Sequence, residues 1–157
     1  MSQELRNALG CFATGVTIVT SRDGDTDLGL TCSSFNAVSL EPALVLWSLQ
    51  SEAACQPAFL NARGYTVSVL AGDQASLALK FASGEMHERF DGVTVERAPS
   101  GNAIITGCVA WFDCSLHQGI EAGDHNILIG QVNKFASQPG VGLIFERSQF
   151  GTVQIAA

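Results

Sequence analysis

Short β-branched runs, broken at close intervals by glycine, set the architecture open to this chain. Val16-Thr17-Ile18-Val19-Thr20 is β-branched throughout, and such side chains fit a pleated strand better than a helix. Asp23-Gly24 follows, and glycine accepts the positive φ of a tight hairpin turn. Leu28 to Ser34 then returns as a second strand, with Leu28, Leu30 and Cys32 on one face and Gly29, Thr31 and Ser33 on the other. Two strands joined this tightly pair antiparallel.

The same punctuation runs along the chain. Leu5 to Phe12 reads as a short helix, with Gly15 beyond it. After Pro42, Ala43 to Leu49 is a continuous apolar run, as in a strand buried on both faces. Ser51 to Ala62 has helical spacing, limited by Pro57 unless that proline lies in the first turn. Tyr65 to Leu70 alternates as a strand. Asp73 is placed to cap a helix over Gln74 to Ala82, whose Leu77 and Phe81 share a face. Ala103 to Leu116 is the longest strand candidate, and Ile127 to Phe135 pairs with it. Leu143 to Phe145 and Phe150 to Val153 complete six or seven strands. The reading is one mainly β domain over residues 1–157, an antiparallel β-barrel with a few short helices.

The totals narrow the function. Net charge is −7, from 15 acidic and 8 basic residues, so the clustered Lys and Arg of nucleic-acid binders are missing. Charged residues are only 15% and hydrophobic ones 46%, which points to a surface partly covered by a second copy of the chain. The five cysteines, an odd number with no Cys-x-x-Cys, read as buried thiols in a reduced cytoplasm. No signal peptide is read at Met1 to Asn7, and no apolar run has the length of a membrane span. Glycine-rich dinucleotide and P-loop motifs and the Gly-x-Ser-x-Gly elbow are absent. Cys114, His117 and His125 match no usual zinc spacing, so no metal is expected.

Two segments carry more. One is Gly29-Leu30-Thr31-Cys32-Ser33-Ser34-Phe35-Asn36-Ala37-Val38-Ser39-Leu40-Glu41-Pro42, followed by Leu44 to Leu49; the other is Gly123-Asp124-His125, followed by Ile127 to Val132. Together they resemble the flavin reductase family of the FMN-binding split barrel, short-chain reductases that supply reduced flavin to partner monooxygenases. Weaker matches at Gly10 to Thr20, Val67 to Leu70, Gln74, Phe81-Ala82 and Arg89 to Gly92 extend the resemblance in order from about Leu5 to Val153. Ala43 stands where the family often has a second proline, and Tyr65 where many relatives carry Phe.

The resemblance implies a Greek-key split barrel and an NAD(P)H-dependent flavin reductase, passing hydride from NADH or NADPH to FMN or FAD. It also implies a homodimer and a separate monooxygenase. A non-enzymatic flavin-binding electron carrier, and a ferric or other acceptor reductase, are the alternatives on the same fold. Thr31, Cys32, Ser33 and Ser34 fall at positions along the flavin ring and ribityl chain. On residue type alone they read equally as a polar strand edge, with Cys32 as packing. Trp47, Ser48, Leu49 and Ser51 end a strand where hydroxyls and free N–H groups can receive a phosphate, or where Ser51 simply caps a helix. Lys80 and Arg89 are the basic candidates for phosphate contact, or else solvated charges. Phe81 flanks the ring or belongs to the core. His125 is associated with nicotinamide positioning, and Asp124 with shaping the loop or orienting His125; both read otherwise as turn residues.

Overall fold

A computed structural model describes residues 2–154. Its centre is a seven-stranded antiparallel sheet in the order β3-β2-β6-β9-β10-β5-β4. The strands are β2 (Thr17–Asp23), β3 (Thr26–Cys32), β4 (Asn36–Leu40), β5 (Ala43–Gln50), β6 (Gly64–Val69), β9 (Ala110–Ala122) and β10 (His125–Ser137). Leu28 of edge strand β3 and Val45 of β5 belong to one core with Trp47, Phe59, Tyr65 and Leu128. Opposite ends of the sheet can share a core only if the sheet is rolled. The roll does not close: edge strands β3 and β4 follow one another in the chain, and the seam between them stays open. This is the split barrel expected from the sequence, and the passage from β5 across β10 and β9 to β6 is of Greek-key type.

β2 is buried from Thr17 through Ser21. Val19 faces the barrel core, whereas Val16 and Ile18 face a second core with Leu70, Ala78, Phe81, Ile105 and Leu143. Burial on both faces explains its unbroken β-branched run. That second core is closed by helix α3 (Ala75–Ser83), by the hairpin β7 (Val95–Arg97) and β8 (Ala103–Ile105), and by a small sheet of β1 (Thr14–Gly15), β11 (Leu143–Glu146) and β12 (Gln149–Thr152).

Several elements differ from the sequence reading. Helix α1 spans Gln3–Leu9, because the Ser2 side chain accepts from Leu5 N–H and the Gly10 amide closes the other end. The segment from Ser51 turns before α2 (Gln56–Asn61), so Pro57 sits in the first turn and Ser51 caps nothing. Gln74, not Asp73, precedes α3, and its Oε1 accepts from the Ala71 amide at 2.9 Å. The long strand expected from Ala103 breaks at Gly107, whose φ of 82° ends β8 before β9 begins. β4 was not anticipated. β5 is buried on one face only: Val45, Trp47 and Leu49 point inward while Leu44, Leu46 and Ser48 are half-exposed. Among the described residues, no helix is long and apolar enough to cross a membrane.

Candidate functional site

The open seam leads into a cleft of about 620 Å³. One wall is the end of β3 with the residues after it, Leu30 to Ser34. A second is the end of β5, Ser48 to Gln50, with Ala53, Ala54 and Cys55 before α2. The third is the end of α3 and the turn beyond it, with Phe81, Ala82, Gly84, Glu85, Met86 and Arg89. His125 stands at the rim.

Each wall is fixed from outside the cleft. Thr31 Oγ1 donates to the Ala78 carbonyl at 2.6 Å, tying β3 to α3. Gly29 lets α3 lie this close, since a Cβ there would stand 2.8 Å from Phe81 Cε1 and 3.0 Å from Phe90 Cζ. Phe81 is fully buried and meets Phe90 edge-on at 5.0 Å. Ser34 bridges the seam: its Oγ accepts from the Ser48 amide at 2.8 Å and lies 3.0 Å from Cys32 Sγ. Arg89 holds the third wall, with Nε donating to the Gly84 carbonyl (2.9 Å) and Nη1 to the Gly29 carbonyl (2.8 Å). Cys55 lies in the second wall, and burial pushes its thiol pKa up.

At the rim, the β9–β10 hairpin turns through Gly123-Asp124, with Ala122 paired to His125. Gly123 supplies the positive φ, 67°. The Ser51 amide donates to the Asp124 carbonyl at 2.9 Å, and Asn126 Nδ2 donates to Ser51 Oγ at 3.1 Å. These bonds fasten the hairpin to the end of β5. The His125 Nδ1 lies 2.7 Å from Asp124 Oδ1. A carboxylate only accepts, so Nδ1 carries a proton and Nε2 is left to face other partners. The hydrogen bond from His125 and its charge hold the Asp124 carboxyl below the usual carboxylate range.

Of the residues singled out in the sequence, the cleft gathers Thr31, Cys32, Ser33, Ser34, Ser48, Leu49, Phe81, Arg89 and His125. Asp124 touches it only through His125. Trp47 lies outside it: strand alternation sends the indole into the core, edge-on to Phe59 (5.2 Å) and Tyr65 (5.7 Å). Ser51 is engaged by Asn126. Lys80 turns away, its Nζ donating to the Asp91 carbonyl. Gln50, Ala53, Ala54, Cys55, Glu85 and Met86 line the cleft without having been foreseen. Ser51 and Pro57 marked their neighbourhood in part, but nothing in the sequence marked Glu85 or Met86. Cys114 is enclosed in the barrel core while His117 is exposed, and no three metal-ligating side chains gather among the described residues.

A cleft of this size, with an apolar side at half-buried Leu30 and Met86, backed by the buried Leu49 and Phe81, and hydroxyls and amides opposite, fits a flat tricyclic ring with a polar tail. Comparison with known proteins agrees. The flavin reductase like domain matches residues 9–154. The reductase component of a flavin-dependent trigonelline monooxygenase from Acinetobacter baylyi is 40% identical over 96% of this chain, which spans only 48% of that protein. An FMN reductase (NADH), SmoA, from Agrobacterium fabrum is 39% identical over 96% of this chain and 85% of its own length. Among solved structures, the Streptomyces globisporus NADH:FAD oxidoreductase SgcE6 in complex with NAD and FAD fragments superposes with a TM-score of 0.90. It is 34% identical over 98% of this chain and 92% of that one.

Proposed function

This chain belongs to the flavin reductase family, and we propose that it reduces FMN or FAD with NADH and feeds the reduced flavin to a separate monooxygenase. The observation that carries this reading is the convergence of Thr31 to Ser34, Ser48-Leu49, Phe81 and His125 on one cleft at the seam of the barrel. When bound there, the flavin supplies a hydride acceptor and the nicotinamide a hydride donor.

The chain's own part is to bind, orient and exclude water. Leu30 and Met86, half-buried and backed by the fully buried Leu49 and Phe81, give the ring an apolar bed. Ser33 and Ser34, with Thr31 as an acceptor, serve the polar edge and ribityl chain. The Ser48 hydroxyl and amides of the turn before α2 can donate to the phosphate, the Ser48 amide being held by Ser34, which removes the need for Lys80. Arg89 adds a positive charge, although two of its nitrogens already serve carbonyls. His125, locked by Asp124 with Nε2 free, is placed to donate or accept at the nicotinamide end. Holding two rings at reacting distance is most of the catalysis such a reaction needs. With Glu85 in the wall and Arg89 committed, no other Lys or Arg lines the cleft among the described residues to meet an extra 2′-phosphate, which favours NADH over NADPH. The names of the relatives support both the NADH preference and the monooxygenase partner.

A homodimer is part of the same proposal. Val38 and Leu40 of β4 are exposed, Leu40 at 92%, beside half-exposed Leu44 and Leu46. Phe135 is 66% exposed and stacks on Phe112. A strip this apolar fits burial against a second copy. The test of the activity is oxidation of NADH by the purified protein, with and without FMN or FAD. Oxidation that requires added or bound flavin is expected. Tight flavin binding without nicotinamide oxidation would establish the electron-carrier alternative instead.

A further inference from the structure

A second cavity, of about 400 Å³, opens between the β2–β3 turn, the α2–β6 connection and the loop before β8. Arg22, Arg63, Asn102, Ser115 and Asn133 line it, and no aspartate or glutamate is among its lining residues. Strand register places it at the far end of the barrel. Thr17 of β2 pairs with Cys32 at the cleft, whereas Ser21 and Arg22 lie toward the other end of that ladder. On β10, His125 opens the strand and Asn133 stands about 26 Å further along, at roughly 3.3 Å per residue.

Asn102 is the telling residue. It is 6% exposed, and among the described residues its side-chain amide makes no hydrogen bond and is not one of the polar groups sealed from solvent, so it opens on the cavity it lines. An amide left open in this way is available to water or to a ligand. The loop that carries it cannot easily swing outward. Arg97 grips Asp27 with two nitrogens, at 2.6 and 2.7 Å, and donates to the Gly101 carbonyl at 3.2 Å. Asp113 accepts from the Ser100 amide at 3.0 Å and its hydroxyl at 2.5 Å. The Arg22 guanidinium faces the same loop: a Cβ at Gly101 would stand 3.8 Å from its Nη1. Its Nε is buried without a hydrogen bond, and its charge is shared with Asp25 and Asp27. Arg63 has no ion-pair partner among the described residues. A chain of net charge −7 with 8 basic residues has thus placed two arginines on one cavity, Arg22 paired with Asp25 and Asp27 beside it and Arg63 without such a pair among the described residues.

We propose that this cavity is a site for a small oxyanion, a carboxylate or phosphate group, held between Arg22, Arg63 and the Asn102 amide. Guanidinium forks match both groups, and the Asn102 amide, which lines the cavity without a protein partner, can donate its N–H₂ to either.

The test needs neither flavin nor nicotinamide, so its failure says nothing about the reductase reading, nor that reading's failure about it. Isotope-labelled protein comprising residues 1–157 is titrated separately with inorganic phosphate, with acetate, and with chloride at equal ionic strength, while amide and arginine Nε–H resonances are followed. Saturable movement of the Asn102 side-chain amide and the Arg63 Nε–H is expected with phosphate, acetate or both, with a Kd of about a millimolar or tighter. Which anion acts identifies the group. Arg63→Gln, a surface change, should retain the spectrum of the fold and weaken binding about tenfold or more. Movements that chloride reproduces, no saturation with either anion, or unchanged affinity in Arg63→Gln would each overturn the proposal.

Discussion

The Phe81 ring lies directly on the backbone of Gly29, so that a Cβ at position 29 would stand 2.8 Å from Cε1 of the ring. Phe90 closes the other side at 3.0 Å, and the three together set the spacing of α3 from β3. Gly29→Ala should therefore destabilise the protein by about 1–3 kcal/mol, as overpacking does in a filled core. It should also weaken flavin binding, because Phe81 and Thr31 belong to the cleft. Urea denaturation and a flavin titration check the two effects. A stability equal to that of the parent protein would show that α3 can lift away without cost.

The Asp124–His125 pair makes a prediction about pH. The Asp124 carboxyl is held below its ordinary value by the hydrogen bond from His125 and by the ring's charge. A lowered acid contributes its stabilisation above the unfolded value and loses it as pH falls through the lowered one. The imidazole should thus stay oriented throughout the neutral range and be released only in strong acid. Carboxyl carbon shifts should show Asp124 titrating lower in the parent than in His125→Ala. His125→Ala should also reduce kcat/KM for NADH by about tenfold or more while flavin affinity is retained. Unchanged turnover would remove His125 from nicotinamide positioning.

What the sequence disclosed follows from physical range. The two-residue period of β3 separated Leu28 and Cys32 from Gly29 and Thr31, because alternation is a property of the backbone alone. The same rule, applied within the strand, would have sent Trp47 inward and Ser48 outward; reading the segment as one contiguous block hid that difference. Glycine at position 24 marked the first hairpin because positive φ is a local demand, whereas Gly123, which does the same at the β9–β10 turn, was read only as part of the Gly-Asp-His segment. The third wall of the cleft was illegible. Arg89 reaches back to Gly29, sixty residues earlier, and Lys80 turns to Asp91, so their directions depend on how distant segments meet. The unpartnered Asn102 was invisible for the same reason.

Thiol chemistry separates one cysteine from the rest. Cys11 is exposed, and Cys32, Cys55, Cys108 and Cys114 are buried. Burial raises the thiol pKa of Cys55 and Cys108 and pushes Cys114 up to about 12. The thiolate is the reactive form. Iodoacetamide should accordingly label Cys11 alone in the native protein near neutral pH, and all five only after denaturation, as mass spectrometry of the digest would read. Rapid native labelling of Cys114 would mean that the barrel core opens far more readily than its packing implies.

The exposed strip along β4 and β5 yields a test of assembly. Leu40→Asp places a charge where the proposed second copy packs, and a desolvated unpaired charge opposes association strongly. Sedimentation should show twice the chain mass for the parent and the single-chain mass for the variant. Because Leu40 is 92% exposed in one chain, the circular dichroism of the variant should be unchanged. A parent that sediments as a single chain at micromolar concentration would refute the dimer.

Asp113 joins the barrel to the loop that carries Asn102. It is 3% exposed, and its carboxyl accepts from the buried Thr66 hydroxyl at 2.9 Å as well as from the Ser100 amide and hydroxyl. Asp113→Ala leaves those donors without an acceptor, at about 1–3 kcal/mol for each that stays buried, so a loss of about 3 kcal/mol or more is expected. Asp113→Asn keeps one oxygen of the two and should cost less, because only one side of the Ser100 clamp opens. Hydrogen exchange distinguishes a local from a global effect: the Ser100 amide should lose protection in Asp113→Asn while amides of β6 and β10 keep theirs. Full protection of Ser100 in that variant would show that Arg97 and Asp27 suffice to hold the loop.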